Sequence, residues 1–189
     1  MSQSELLIYI LSLLTDLNIP YMVTGSVVSS IQGDPRSTHD IDVVVMLEKA
    51  AVQSFSAAIP KDVFYLNEHS VLEAVERKHM FNLLEGATGN KVDFWLLTED
   101  PFDVSRFSRR RNAAIFGLTN FYVSAPEDTI LSKLRWAKLA GGSEKQLTDA
   151  IRVFEMQFDQ LDMTYLRQWV EQLHLQEQWQ QLIERAAPY

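Results

Sequence analysis

The chain has 189 residues, 47% hydrophobic and 22% charged, with a net charge of −8 and no cysteine. Such a composition belongs to an ordinary globular protein and excludes a disordered or low-complexity chain, while the missing cysteines exclude disulfides, thiolate zinc sites and a cysteine nucleophile. The negative charge disfavours broad coating of nucleic acid, which depends on neutralising phosphates.

The spacing of Leu6, Ile10, Leu13, Leu14 and Leu17 predicts an amphipathic helix from Ser4, as its cap, to Leu17, ended by Asn18-Ile19-Pro20. Its apolar run Leu6–Leu11 is broken by Ser12 and by Thr15-Asp16, too short for a membrane span of about 20 residues. Neither a basic lead nor a small-residue cleavage site suggests a signal peptide, so a cytoplasmic protein without a membrane partner is expected. Tyr21-Met22-Val23 reads as a strand entering Thr24-Gly25-Ser26, followed by a short helix over Val27–Ile31 and a polar loop from Gln32 to Thr38. Asp40 to Leu47, nearly continuous in β-branched residues, reads as a buried strand. Helices are expected over Glu48–Ala58 and Ser70–Arg77. Met80–Glu85 and Lys91–Leu97, separated by Gly86-Ala87-Thr88-Gly89-Asn90, carry a hairpin signal. Phe121-Tyr122-Val123 is a further short strand.

From Ser124 onward the pattern turns helical. Ser124 as N-cap, Pro126 in the first turn and Glu127 as the capping-box acid predict a helix to about Ala140. Three more helices are expected over Glu144–Gln157, Met163–Leu173 and Gln176–Ala187, with Trp169, Leu173, Trp179 and Ile183 as anchors and Trp136 in the interhelical core. The fold class is therefore α+β: a mixed sheet flanked by helices, then a C-terminal helical bundle. The division expected is 1–123 for the first domain and 124–189 for a helical subdomain.

Side chains alternate along a strand, so Asp40 and Asp42 share one face while Ile41 and Val43 point into the core. Two carboxylates this close repel each other, and a divalent cation with oxygen ligands, such as Mg²⁺ with substrate phosphates, would relieve that. Asp93, between Val92 and Phe94 on another apolar strand, would bring a third carboxylate if the two strands are neighbours. Gly25 permits a strained turn, and a helix starting after Ser26 would aim free N–H groups at a phosphate. Arg36 precedes the acids and has the planar fork that suits a terminal phosphate. In isolation an Asp-x-Asp pair is common and a Gly-Ser is usually a turn; the order of all these features gives them weight.

The run Thr24-Gly25-Ser26 … Arg36-Ser37-Thr38-His39-Asp40-Ile41-Asp42-Val43-Val44-Val45 resembles the signature of the DNA polymerase β-like nucleotidyltransferase superfamily, and within it the small AbiEii-like group, which includes toxins of toxin–antitoxin systems. The resemblance implies a Mg²⁺-dependent enzyme with Asp40, Asp42 and Asp93 on the metal and Gly25 and Ser26 on the phosphates of an NTP. It continues into the tail, where Lys133 matches a lysine of the group. Ser143-Glu144-Lys145-Gln146-Leu147-Thr148-Asp149 matches an Arg-x-Lys-Asp-x-x-Asp stretch, keeping Lys145 and Asp149 but replacing the arginine and the first aspartate. Lys133 near the triphosphate, oriented by Asp149, is the role so implied; both also read as solvated helix residues. The acceptor stays open among tRNA or another RNA, a protein hydroxyl and a small molecule, and an antitoxin partner is implied for a toxin. The rival reading is a nucleotide-binding or scaffold protein of the same fold without turnover.

Other residues carry weaker signals. His39 reads as a strand-end residue or as an acid–base partner of Asp40, and His69, His79 and His174 show no metal-ligand spacing. The cluster Arg106, Arg109, Arg110 and Arg111 reads as an RNA contact or as a solvated loop. Phe94 and Trp95 read as core or as a stacking platform for a base.

Overall fold

The computed structural model describes residues 1–35, 40–115 and 118–187, with only the backbone at 115 and 118–120. In chain order its elements are α1 (Gln3–Asp16), β1 (Tyr21–Thr24), α2 (Gly25–Gln32), β2 (Asp40–Val45), α3 (Val52–Ala57), β3 (Phe64–Tyr65), α4 (Glu68–Arg77) and β4 (Met80–Glu85). There follow β5 (Lys91–Leu96), α5 (Pro101–Ser108), β6 (Arg111–Ile115), β7 (Leu118–Val123), α6 (Pro126–Leu139), α7 (Glu144–Gln157), α8 (Met163–Gln172) and α9 (Gln176–Arg185). The chain divides into two compact units, Met1–Thr24 with Thr38–Val123 and Gly25–Ser37 with Ser124–Tyr189. Among the described residues no helix is long and apolar enough to cross a membrane.

The first unit is built on a seven-stranded mixed sheet in the order β3-β4-β5-β2-β1-β7-β6. The β2–β5 and β1–β7 pairs are parallel and the others antiparallel. Strand alternation gives the sheet one largely apolar face, with Ile41, Val43, Val92 and Phe94 at 0% exposure. Phe94 stacks on Phe81 at 4.9 Å and meets Phe55 of α3 edge-on at 5.6 Å, which fixes ring positions as well as burying area. Leu14 of α1 joins Val45, Phe55, Phe81 and Phe94 around one interior gap with no room for water. The cap of α1 is Ser2 rather than Ser4: the Ser2 hydroxyl accepts from the Glu5 N–H, and Glu5 accepts from the Ser2 N–H at 2.7 Å, a closed capping box.

Three elements of this unit, β3, α5 and β6, were not expected from the sequence. Asp100 caps α5 by accepting from the N–H groups of Phe102 and Asp103, with Pro101 in the first turn. This helix and β6 take up the arginine cluster. Arg106 pairs with Asp103 at 2.9 Å, and Arg110 lies over the rings of Phe107 and Tyr122 while donating to the Phe107 carbonyl. At least these two guanidinium groups are engaged within the fold.

In the second unit, α2 belongs with the C-terminal helices. Gln32 donates to the Ser124 carbonyl at 2.7 Å, Gln157 donates to the Gln32 carbonyl at 2.9 Å, and Arg152 pairs with Asp34 at 3.1 Å. A Cβ at Gly33 would lie 3.0 Å from the Val153 nitrogen, so only glycine lets the end of α2 approach α7 this closely. Helix α6 starts differently from the expected capping box. Ala125 takes the N-cap position without a side-chain bond, and Glu127 accepts from the Asp162 N–H instead. Trp169 is buried as expected, but Trp136 is 48% exposed and Ile183 lies outside the core, which α9 supplies through Leu182. The buried apolar side chains of α6 include Ile130, Leu131, Leu134 and Ala137, but burial extends to Thr129 and Lys133 on the side of Trp136.

The β4–β5 hairpin closes on one side chain. The buried Glu85 carboxylate accepts from the Thr88 hydroxyl and from the N–H groups of Ala87 and Thr88. The Thr88 hydroxyl, more than any other contact, holds its pKa below the usual glutamate value. Its stabilising contribution is therefore complete above the ordinary glutamate pKa and is lost as the pH falls through the lowered one. In urea unfolding, Glu85→Gln should be less stable than wild type near neutrality, and the gap should shrink as the pH is lowered below the ordinary glutamate range; a gap independent of pH would contradict this role.

Candidate functional site

The carboxylates are arranged by strand register. Along the parallel β2–β5 pair Asp42 stands opposite Asp93, with Asp40 opposite Lys91 and Val44 opposite Trp95. The same level continues outward to Asn82 on β4, the partner of Asp93, and to Thr24 at the end of β1, the partner of Asp42. Partners in register share a face, so Asn82, Asp93, Asp42 and Thr24 form a polar row across four strands on the face opposite the Phe94 core. Beyond it on that face Met22, Val44 and Phe107 form an apolar cluster with Trp95 and Leu97 against it.

Each acid of the row has a defined environment. Asp93 is buried; one oxygen accepts from the Asn82 amide at 2.5 Å and the other pairs with the Lys91 ammonium at 2.8 Å. Lys91 lies also 3.7 Å from Asp40. Its pKa is raised above the ordinary lysine range, chiefly by the hydrogen bond to Asp93 and against the opposing effect of burial, so it is charged at neutral pH. Asp42 accepts from the Trp95 indole N–H at 3.2 Å.

The donor set suits a hard divalent cation: three carboxylates on one face of adjacent parallel strands, with an ammonium already drawn into the row. Among the described residues no three acidic or histidine side chains converge on one point as a ready-made ligand cluster. Asp40, Asp42 and Asp93 are the residues that would hold the ion.

In the second unit the start of α2 carries its own cluster. Gly25 has φ of +70°, a left-handed conformation that any side chain would strain, and the helix begins there. The buried Lys133 ammonium pairs with the buried Asp149 carboxylate at 2.7 Å and lies 3.5 Å from the Ser26 hydroxyl. The Ser29 hydroxyl lies 3.2 Å from the Ser26 carbonyl and 3.5 Å from Asp149. Ser26, Lys133 and Asp149 thus meet, although Ser26 is more than a hundred residues from the other two in sequence.

No family model matches the chain, and no curated protein does. Solved structures do. An antigenic nucleotidyltransferase-like protein from Paracoccidioides brasiliensis superposes with a TM-score of 0.56 at 16% identity, covering 98% of this chain and 94% of the other. The fold is nucleotidyltransferase-like. ANT(2″)-Ia, solved in complex with adenylyl-2″-tobramycin, gives 0.52 at 12% identity over 94% of this chain and 99% of its own. JHP933 from Helicobacter pylori gives 0.50 at 13% identity over 100% and 83%.

On this nucleotidyltransferase-like scaffold the expected residues fall into two groups, Asp40, Asp42 and Asp93 on the sheet and Ser26, Lys133 and Asp149 among the helices. Arg36 and His39 lie outside the described residues. Phe94 is core, whereas Trp95 serves Asp42. Sequence reading missed Asn82, Lys91 and Ser29. The hairpin pairing of β4 with β5 could have placed Asn82 beside Asp93, and strand alternation puts Lys91, two residues before Asp93, on the same face as that acid; nothing local sets Ser29 beside Asp149. Asn82 also borders an open cleft of about 510 Å³ in the first unit, walled by Tyr65, Glu73, Arg77, His79 and Met80.

A buried ion pair that loses one partner leaves the other charge stranded, at a cost of about 3–5 kcal/mol. Asp149→Ala should lose stability of that order in urea unfolding. The double variant Lys133→Met/Asp149→Leu should lose less than Asp149→Ala alone; simply additive losses would show that the two charges are not coupled.

Proposed function

We propose that the chain is a Mg²⁺-dependent nucleotidyltransferase that moves an NMP group from an NTP to an acceptor hydroxyl: the acceptor oxygen bonds to the α-phosphorus, the bond from that phosphorus to the β-phosphate oxygen breaks, and pyrophosphate and the hydroxyl proton leave. The observation that carries this is the in-register pairing of Asp42 with Asp93, with Asp40 on the same face, in a nucleotidyltransferase-like fold. In this reading Asp40, Asp42 and Asp93 hold the metal. Gly25 and Ser26 receive the triphosphate at the start of α2, and Lys133, steadied by Asp149, adds a fixed positive charge there. Arg36 is assigned to the terminal phosphate. Mg²⁺, when bound, neutralises phosphate charge and polarises the α-phosphate. The chain's own work is to hold the nucleotide, aim the carboxylates through Asn82 and Trp95, and seat the acceptor. In the same reading residues 1–123 form the catalytic domain and 124–189 a helical subdomain, with α2 packed among the helices of the latter.

The acceptor reading we favour is a small molecule. The cleft beside Asn82 has the volume of a small-ligand site. The engaged arginines and the charge of −8 favour RNA less. The finer resemblance to the AbiEii-like group, with its toxin role and antitoxin partner, is supported by the pairing of Lys133 with Asp149, two of the three tail residues that match that group.

One observation favours a second reading, a nucleotide-binding or scaffold protein without turnover: the Lys91 ammonium occupies Asp93 and approaches Asp40. An α-labelled NTP assay with RNA, protein and small-molecule acceptors separates the two. Label transfer by wild type that falls about 100-fold or more in Asp42→Ala supports the enzyme. NTP binding without transfer to any acceptor supports the scaffold, and transfer untouched by Asp42→Ala would overturn the assigned site.

A further inference from the structure

Lys91 is the one feature of the carboxylate row that the reading above leaves without a task. Asp42 and Asp93 face each other across adjacent strands, which lie about 4.8 Å apart. Asp40 follows Asp42 on the same face, and one side of Asp93 is served only by the neutral Asn82 amide. Like charges at such spacing destabilise the fold unless a cation lies among them. Lys91 supplies one, 2.8 Å from Asp93 and 3.7 Å from Asp40. Its side chain remains 33% exposed, so the flexible four-carbon stem has solvent to turn into.

We propose that Lys91 is a built-in counter-cation that holds the carboxylate row together in the metal-free protein and is displaced when a divalent cation binds, so that it sets the affinity for the metal. The inference rests on the metal reading of Asp40, Asp42 and Asp93. A 2+ ion on Asp93 and an ammonium on the same carboxylate repel within a few ångströms, and only Lys91 has a stem that lets it leave. Every metal-binding event then includes breaking the Lys91–Asp93 pair.

Calorimetric titration of Mg²⁺ and Mn²⁺ into the full chain tests this, using wild type, Lys91→Met and Lys91→Arg. Lys91→Met keeps the apolar stem and removes the charge. It should bind metal about tenfold more tightly than wild type. Its metal-free melting temperature should be lower, and added Mg²⁺ should raise that temperature further than it does in wild type. Lys91→Arg should stay within about twofold of wild type, because charge and not length sets the competition. Equal or weaker binding by a folded Lys91→Met overturns the proposal, as does Lys91→Arg behaving like Lys91→Met. No binding by any of the three proteins means that the metal reading itself is wrong, a result distinct from unchanged affinity.

Discussion

Six residues of β2 run parallel and in register with six of β5, and that pairing decides most of what the first unit can do. It sets Ile41, Val43, Val92 and Phe94 on one face, where they are fully buried, and it forces Asp42 and Asp93 together on the other. One face stabilises the fold through apolar burial. The other concentrates negative charge where an unrelieved carboxylate is costly. The neighbours of the acids answer that cost: an ammonium and an amide for Asp93, an indole N–H for Asp42.

The second unit answers a similar demand by different means. Lys133 and Asp149 are both buried and pair at 2.7 Å. Such a pair seldom adds much net stability, since desolvation offsets attraction. What it does is fix the position of a positive charge, here 3.5 Å from the Ser26 hydroxyl. Gly25 at the start of the same helix takes a left-handed φ of +70°, open to glycine without strain, and so lets the chain turn directly into Ser26.

Local signals made much of this legible. The β-branched run after Asp40, the loop between Glu85 and Lys91, and the 3.6-residue period of α7 each mark an element whose bounds the structure keeps to within a few residues. Alternation alone put Asp40 and Asp42 on one face. The features that escaped depend on which strands and helices become neighbours. Lys91 meets Asp40 only once β2 and β5 are in register, and Ser29 meets Asp149 across 120 residues. Arg110 reads as a surface charge until Phe107 and Tyr122 bracket it. One other miss was avoidable: the Asp100-Pro101 start of α5 is a local cap signal.

The central claim is that the Asp42–Asp93 row is a metal site serving a nucleotide. The most direct measurement is anomalous diffraction from crystals grown with Mn²⁺ and a non-hydrolysable NTP analogue. A manganese peak liganded by Asp42 and Asp93, with the triphosphate of the analogue beside it, is the result expected. Analogue bound elsewhere, with no manganese on the row and Lys91 still on Asp93, would contradict it.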